Sequence, residues 1–141
     1  MNLNTEHFSR CIETLEASLA HLKKSQQSHI EYEVFRNATI KGFELTIEIA
    51  AKLLKKSLKQ FNANPSAIEQ LTFKDIIRQA HQHQLLTRDE VQRWFKYRDN
   101  RSNTAHDYGV AFAEETLGLL PLFLIDCKKL EKKIQTLSKH R

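Results

Sequence analysis

Glycine and proline are nearly missing: three glycines and two prolines serve a chain of 141 residues. Sheet proteins need many tight turns, and turns draw on these two residues. Their scarcity argues against a many-stranded fold and favours a few long helices. Cysteine is equally rare. Cys11 and Cys127 stand far apart and match no metal or redox spacing, so two buried free thiols in a reducing compartment are expected. Long apolar runs are missing too. The longest, Leu117 to Ile125, is too short to span a bilayer. The first residues are polar, with no leader peptide. Together these absences point to a cytoplasmic protein with no membrane association.

The length suits a single domain over residues 1–141 with a core of its own. The net charge of +5 permits an anionic partner such as RNA or an acidic protein. Part of the excess sits in Lys128, Lys129, Lys132, Lys133, Lys139 and Arg141, a run that reads first as a solvated helix face.

Apolar residues recur at helical spacing along most of the chain. Phe8, Ile12, Leu15, Leu19 and Leu22 make one stripe, which predicts a first helix over about 5–28 with Thr5 as its cap. Val34, Phe35, Ala38, Phe43, Ile47, Ala50, Leu54, Leu58 and Phe61 predict a second over about 31–61. Gly42 lies in its middle, where only a close helix contact would justify it. The stretch 62–66 collects turn formers. Thr72 with Asp75, and Thr87 with Glu90, have the spacing of capping boxes and predict two further helix starts. Trp94 and Phe95 read as core or interface residues. A last helix is expected over about 110–137, bent or split by Pro121 near Leu117-Gly118. His81 and His83 suggest a metal pair, but positions two apart on a helix point about 200° apart. They read better as solvated residues near a helix end, and His7, His21, His29 and His140 as isolated solvated ones. An antiparallel bundle of four or five helices, all-α, is the economical fold.

Against this background the stretch 97–108 stands out. It concentrates arginine, histidine, tyrosine, aspartate and small polar residues. Arg101, His106 and Tyr108 follow the pattern Arg-x4-His-x-Tyr. Arginine is a permanent planar cation suited to phosphate. Histidine can give or take a proton near neutral pH. Tyrosine adds a hydroxyl on a flat ring. This set suits phosphodiester chemistry. On an unbroken helix Arg101 and His106 would point about 140° apart. Their cooperation therefore requires the helix to end between them, at Ser102, Asn103 and Thr104, or two copies to meet across a dimer axis. The competing reading pairs Arg98 and Arg101 with Asp99, Asp107 or Glu90 on the surface. Glu44, a carboxylate on the apolar second helix, is a candidate partner for Arg101.

These residues resemble the HEPN superfamily, and more narrowly its HepT-type toxin branch, the nucleotidyltransferase substrate-binding proteins. The stretch from Arg36 to Thr46 looks like that family's second helix. The stretch from Leu85-Leu86 through Trp94 to Asp107 looks like the approach to its motif. The similarity covers roughly residues 5–137. Ser102 stands where the family often carries asparagine, and Ala105 where many members carry serine; both changes remove polar groups. The resemblance implies a helical-bundle homodimer with both motifs facing one cleft. It implies a metal-independent endoribonuclease that needs no cofactor, with Arg101 and His106 as catalytic residues. Arg98, Asn103 and Tyr108 would bind the RNA substrate. It also implies a cognate minimal nucleotidyltransferase as antitoxin, which transfers AMP to Tyr108. The alternative within the same family is a non-catalytic subunit that binds a substrate or nucleotide for the nucleotidyltransferase.

Overall fold

A computed structural model describes residues 3–26, 28–62, 64–104 and 110–139, and their side chains except those of 102–104, 110–112 and 139. The described residues are helical and contain no strand. Six helices follow in order: α1 (Glu6–Lys24), α2 (Ile30–Lys59), α3 (Pro65–Glu69), α4 (Phe73–Gln82), α5 (Arg88–Thr104) and α6 (Val110–Lys139). The all-α expectation holds. The extra piece is α3, a single turn with proline at its start. Its Ile68 is buried in the core, which is what makes a turn-forming stretch coil into a helix.

The α1 stripe forms as its spacing predicts, and Phe8, Ile12, Leu15, Leu19 and Leu22 are all buried. Thr5 occupies the cap position without capping; its hydroxyl instead accepts a hydrogen bond from Gln135 Nε2 at 3.2 Å. The amino-terminus is thereby tied to the end of α6. Helix α2 packs antiparallel on α1 across a short loop, the most extensive helix contact in the molecule. Phe43, Ile47, Ala50, Leu54 and Leu58 are buried as expected. Val34 and Ala38 are exposed instead, and Thr39, Thr46 and Ser57 join the buried face. Their hydroxyls donate to the carbonyls of Phe35, Gly42 and Leu53 at 2.6, 2.6 and 2.9 Å. A hydroxyl satisfied within its own helix can be buried at little cost. Gly42 is explained by contact: a Cβ there would lie 3.3 Å from Leu15 Cδ1.

Helix α4 starts as its sequence predicts, with the Thr72 hydroxyl accepting from the Asp75 amide at 3.2 Å. Helix α6 is not split, one of the two outcomes expected of Pro121: it runs for 30 residues with that proline inside it. Proline removes one backbone hydrogen bond. Here its ring is exposed, while Leu120, Phe123 and Leu124 beside it are buried. Cys127 is buried, as expected, but Cys11 is only half-buried; burial raises the pKa of both thiols. Among the described residues no helix is long and apolar enough to cross a membrane.

Gly118 is exposed on α6, and a Cβ there would meet nothing within 4 Å. Gly118→Ala is expected to raise stability by up to about 1 kcal/mol in chemical denaturation. Gly42→Ala should gain clearly less, because its methyl must displace Leu15. Equal gains at the two positions would refute the close-contact account of Gly42.

Candidate functional site

Helix α5 carries the site, and its start is firmly built. The Thr87 amide donates to Glu90 Oε1 at 2.8 Å, and the Glu90 amide donates to the Thr87 hydroxyl at 3.2 Å. This reciprocal pair satisfies two amides that a helix start leaves open. One face of α5 then clasps α6 through Asp126, whose side chain is fully buried. Arg93 donates to both Asp126 oxygens, Nε to Oδ2 and Nη2 to Oδ1, each at 2.8 Å. Tyr97 Oη donates to Oδ2 at 2.5 Å. Arg93 and Tyr97 are one turn apart, so both reach a single carboxylate. A further turn along, the Thr116 hydroxyl of α6 donates to Asn100 Oδ1 at 2.8 Å, also buried.

Aromatic rings surround the clasp. Trp94, Tyr97 and Phe123 meet edge to face with centroids 4.9–5.6 Å apart, and Phe43 of α2 joins Phe123 at 4.8 Å. Trp94 is thus core, as expected. Phe95 is half-buried and lies beneath two cations, Lys74 Nζ at 5.4 Å and the Arg78 guanidinium at 5.3 Å. Burial, and then the bond to Asp126, raise the pKa of the Tyr97 hydroxyl well above the ordinary tyrosine range. The same carboxylate raises the pKa of the Arg93 guanidinium further above its ordinary value.

The other face of α5 presents Arg98 and Arg101 toward α2 and α4. The Arg98 guanidinium lies 5.5 Å over the Phe73 ring. Arg101 forms an ion pair with Glu48 of α2. Both arginines line a cleft of about 280 Å³ between α2 and the α4–α5 pair, which Lys52 and Lys55 also border.

Of the sequence-predicted site residues, Arg98 and Arg101 therefore come together on one cleft. Asn103 lies in the last turn of α5, which is described as far as Thr104. The Asn103 side chain, His106 and Tyr108 lie outside the described residues. The surface pairings read from sequence take other forms. Asp99 faces Lys74 at 3.4 Å, and Glu90 is engaged by its cap. Glu44 lies 3.9 Å from Lys41, and Glu48, one turn further along α2, forms an ion pair with Arg101.

His21, His81 and His83 are exposed, as the sequence suggested, and each also makes a contact. His21 stacks on Phe35 at 5.1 Å, and His83 stacks on Phe61 at 4.4 Å. His81 Nδ1 lies 2.9 Å from the Leu86 carbonyl. Among the described residues no group of three or more His, Cys, Asp or Glu side chains gathers where a metal ion could sit. Sequence reasoning missed Asp126, although a lone carboxylate inside the apolar run Leu124-Ile125-Asp126-Cys127 was the signal for it.

Comparison with known proteins agrees with this architecture. The family described as nucleotidyltransferase substrate binding protein like matches residues 4–136. A protein named probable ribonuclease HepT, from Haemophilus influenzae, is 29% identical over 109 residues, covering 77% of this chain and 73% of that protein. The solved structure of HI0074 from Haemophilus influenzae superimposes with a TM-score of 0.84 at 26% identity, covering 94% of this chain and 99% of that one. It is described as revealing the fold of a substrate binding domain of a nucleotidyltransferase.

Two outcomes follow from the clasp. Asp126→Ala strands the Arg93 cation and the Tyr97 hydroxyl, and should cost about 3 kcal/mol in denaturant melts; a loss near zero would show the clasp to be idle. The second concerns alkaline pH. The pKa of Tyr97 is higher folded than unfolded, so its contribution to stability is complete below about pH 10 and is lost as pH rises beyond that. In a tyrosinate absorbance titration Tyr97 should ionise only as the helical signal collapses, after any exposed tyrosine. Ionisation of all three tyrosines in an intact fold would contradict this.

Proposed function

Because the chain belongs to the nucleotidyltransferase substrate binding protein-like family, we propose that it is the ribonuclease toxin of a toxin-antitoxin pair, held in check by a nucleotidyltransferase partner. The observation that carries this reading is the placement of Arg98 and Arg101 on one cationic cleft, a short way before His106 and Tyr108 in the chain. The relative named probable ribonuclease HepT supports it.

The chemistry assigned to these residues is transfer of an RNA phosphodiester to its neighbouring 2′-hydroxyl. The 2′-oxygen bonds to phosphorus and the bond to the 5′-oxygen breaks. A 2′,3′-cyclic phosphate and a 5′-hydroxyl result. His106 takes the proton from the attacking hydroxyl or delivers one to the leaving oxygen. Arg101 holds the phosphate and offsets charge gathering on its oxygens. Tyr108 orients the strand or stacks a base. The active form is a homodimer with both motifs on one cleft. Control comes from the partner: the Tyr108 oxygen attacks the α-phosphorus of ATP, pyrophosphate leaves, and the attached AMP blocks the strand.

A second reading follows from the family description and from that of HI0074. Here the chain binds a substrate or nucleotide for the nucleotidyltransferase and performs no chemistry.

One experiment separates the two. The purified protein in EDTA should cleave RNA to cyclic-phosphate ends, and Arg101→Ala or His106→Ala should slow cleavage by about 10²–10⁴-fold. Co-expression with the nucleotidyltransferase and ATP should add AMP to Tyr108, measured by peptide mass, and abolish cleavage. A strict need for magnesium would overturn the mechanism. Nucleotide binding without cleavage of any RNA by the unmodified protein would establish the second reading.

A further inference from the structure

The cleft beside Arg101 is larger than one phosphate requires. Its walls divide by chemistry. Leu71, Phe73 and Ile76 give an apolar floor between α2 and α4. Four cations border it: Lys52 and Lys55 from α2, Arg98 and Arg101 from α5. Against them the lining sets one carboxylate, Glu48. Lys52 is exposed, and the Lys55 side chain is 30% exposed, 3.9 Å from Glu69. That carboxylate is shared with Lys59, so Lys55 is only loosely held. Such a rim attracts an anion, and such a floor attracts a flat apolar surface. The Arg98 guanidinium over Phe73 adds a planar cation backed by an aromatic ring, the kind of platform on which a base stacks.

We propose that this cleft is a nucleotide subsite. It takes the residue of an RNA strand adjacent to the phosphate held by Arg101, with its base on the Leu71–Phe73 floor and its phosphate on Lys52 and Lys55. The volume of about 280 Å³ lies just under the range of ligand pockets, which starts at about 300 Å³, and so leaves room for no more than a single nucleotide. The contacts are stacking and charge, which act on any base. The subsite sets affinity and leaves base identity unread. This inference rests on the ribonuclease reading for the identity of the strand, yet it can be tested without catalysis.

The test is fluorescence anisotropy of the full-length protein with a labelled short oligoadenylate. Every ribose carries a 2′-O-methyl group, so the attacking hydroxyl is blocked. Lys52→Ala combined with Lys55→Ala should weaken binding at least about tenfold. It should also flatten the dependence of log affinity on log salt by about 0.7, for the one phosphate that the two lysines hold. Phe73→Leu, which keeps the floor filled, should weaken binding about fivefold or more through lost stacking while leaving the salt slope unchanged. Affinity and slope unchanged in the double lysine variant, or no binding by the unaltered protein, would overturn the subsite. Cleavage of the unmodified oligonucleotide is followed in parallel. Binding that depends on the lysines but comes with no cleavage leaves the subsite standing and removes the ribonuclease reading. Cleavage with a lysine-independent affinity does the reverse.

Discussion

The carboxylate of Asp126, fully buried and held by Arg93 and Tyr97, fixes how α5 lies on α6. An apolar contact between two helices can slide or rotate at small cost. A buried ion held by three directed hydrogen bonds cannot. Removing a carboxylate from water costs several kcal/mol unless its oxygens are satisfied. The clasp meets that condition on both oxygens, and the rings of Trp94, Phe123 and Phe43 keep water away. Rotation of α5 about its axis is set here and nowhere else so firmly.

That rotation decides which way the arginines point. With Arg93, Tyr97 and Asn100 committed to α6, the helical period turns Arg98 and Arg101 toward α2 and α4. The cationic wall of the cleft is thus a geometric result of a clasp on the neighbouring face. Glu48 and Phe73 then hold the two guanidinium groups from the opposite side.

Much of this could be read from the sequence, for physical reasons. Helix faces were legible because burial selects a stripe, as in Phe8, Ile12, Leu15, Leu19 and Leu22. Helix starts at Thr72 and Thr87 were legible because a cap is a local contact within four residues. Gly42 announced a close contact, and the contact is Leu15. What escaped were relations between distant positions. Nothing local joins Asp126 to Arg93, and nothing local points to Glu48 as a partner of Arg101. The split considered at Pro121 does not occur, and the packing of α6 on both sides of it is non-local. For the candidate site, the sequence located Arg98 and Arg101, and the structure joins them on one cleft. His106 and Tyr108 remain residues of the motif alone, outside the described positions.

The clasp also constrains how such a chain can drift over generations. A buried ionic group survives the joint replacement of all its members by apolar residues, but it tolerates poorly the loss of any one of them. Each single step away from Arg93 or Asp126 strands a charged group, whereas loss of the Tyr97 hydroxyl leaves both carboxylate oxygens bonded to Arg93. Arg93 and Asp126 are therefore expected to change together or to stay. The arginines of the cleft, held by exposed partners such as Glu48, are free of that restriction. The fold itself narrows the alphabet at the clasp, while at Arg101 only the chemistry assigned to it does so.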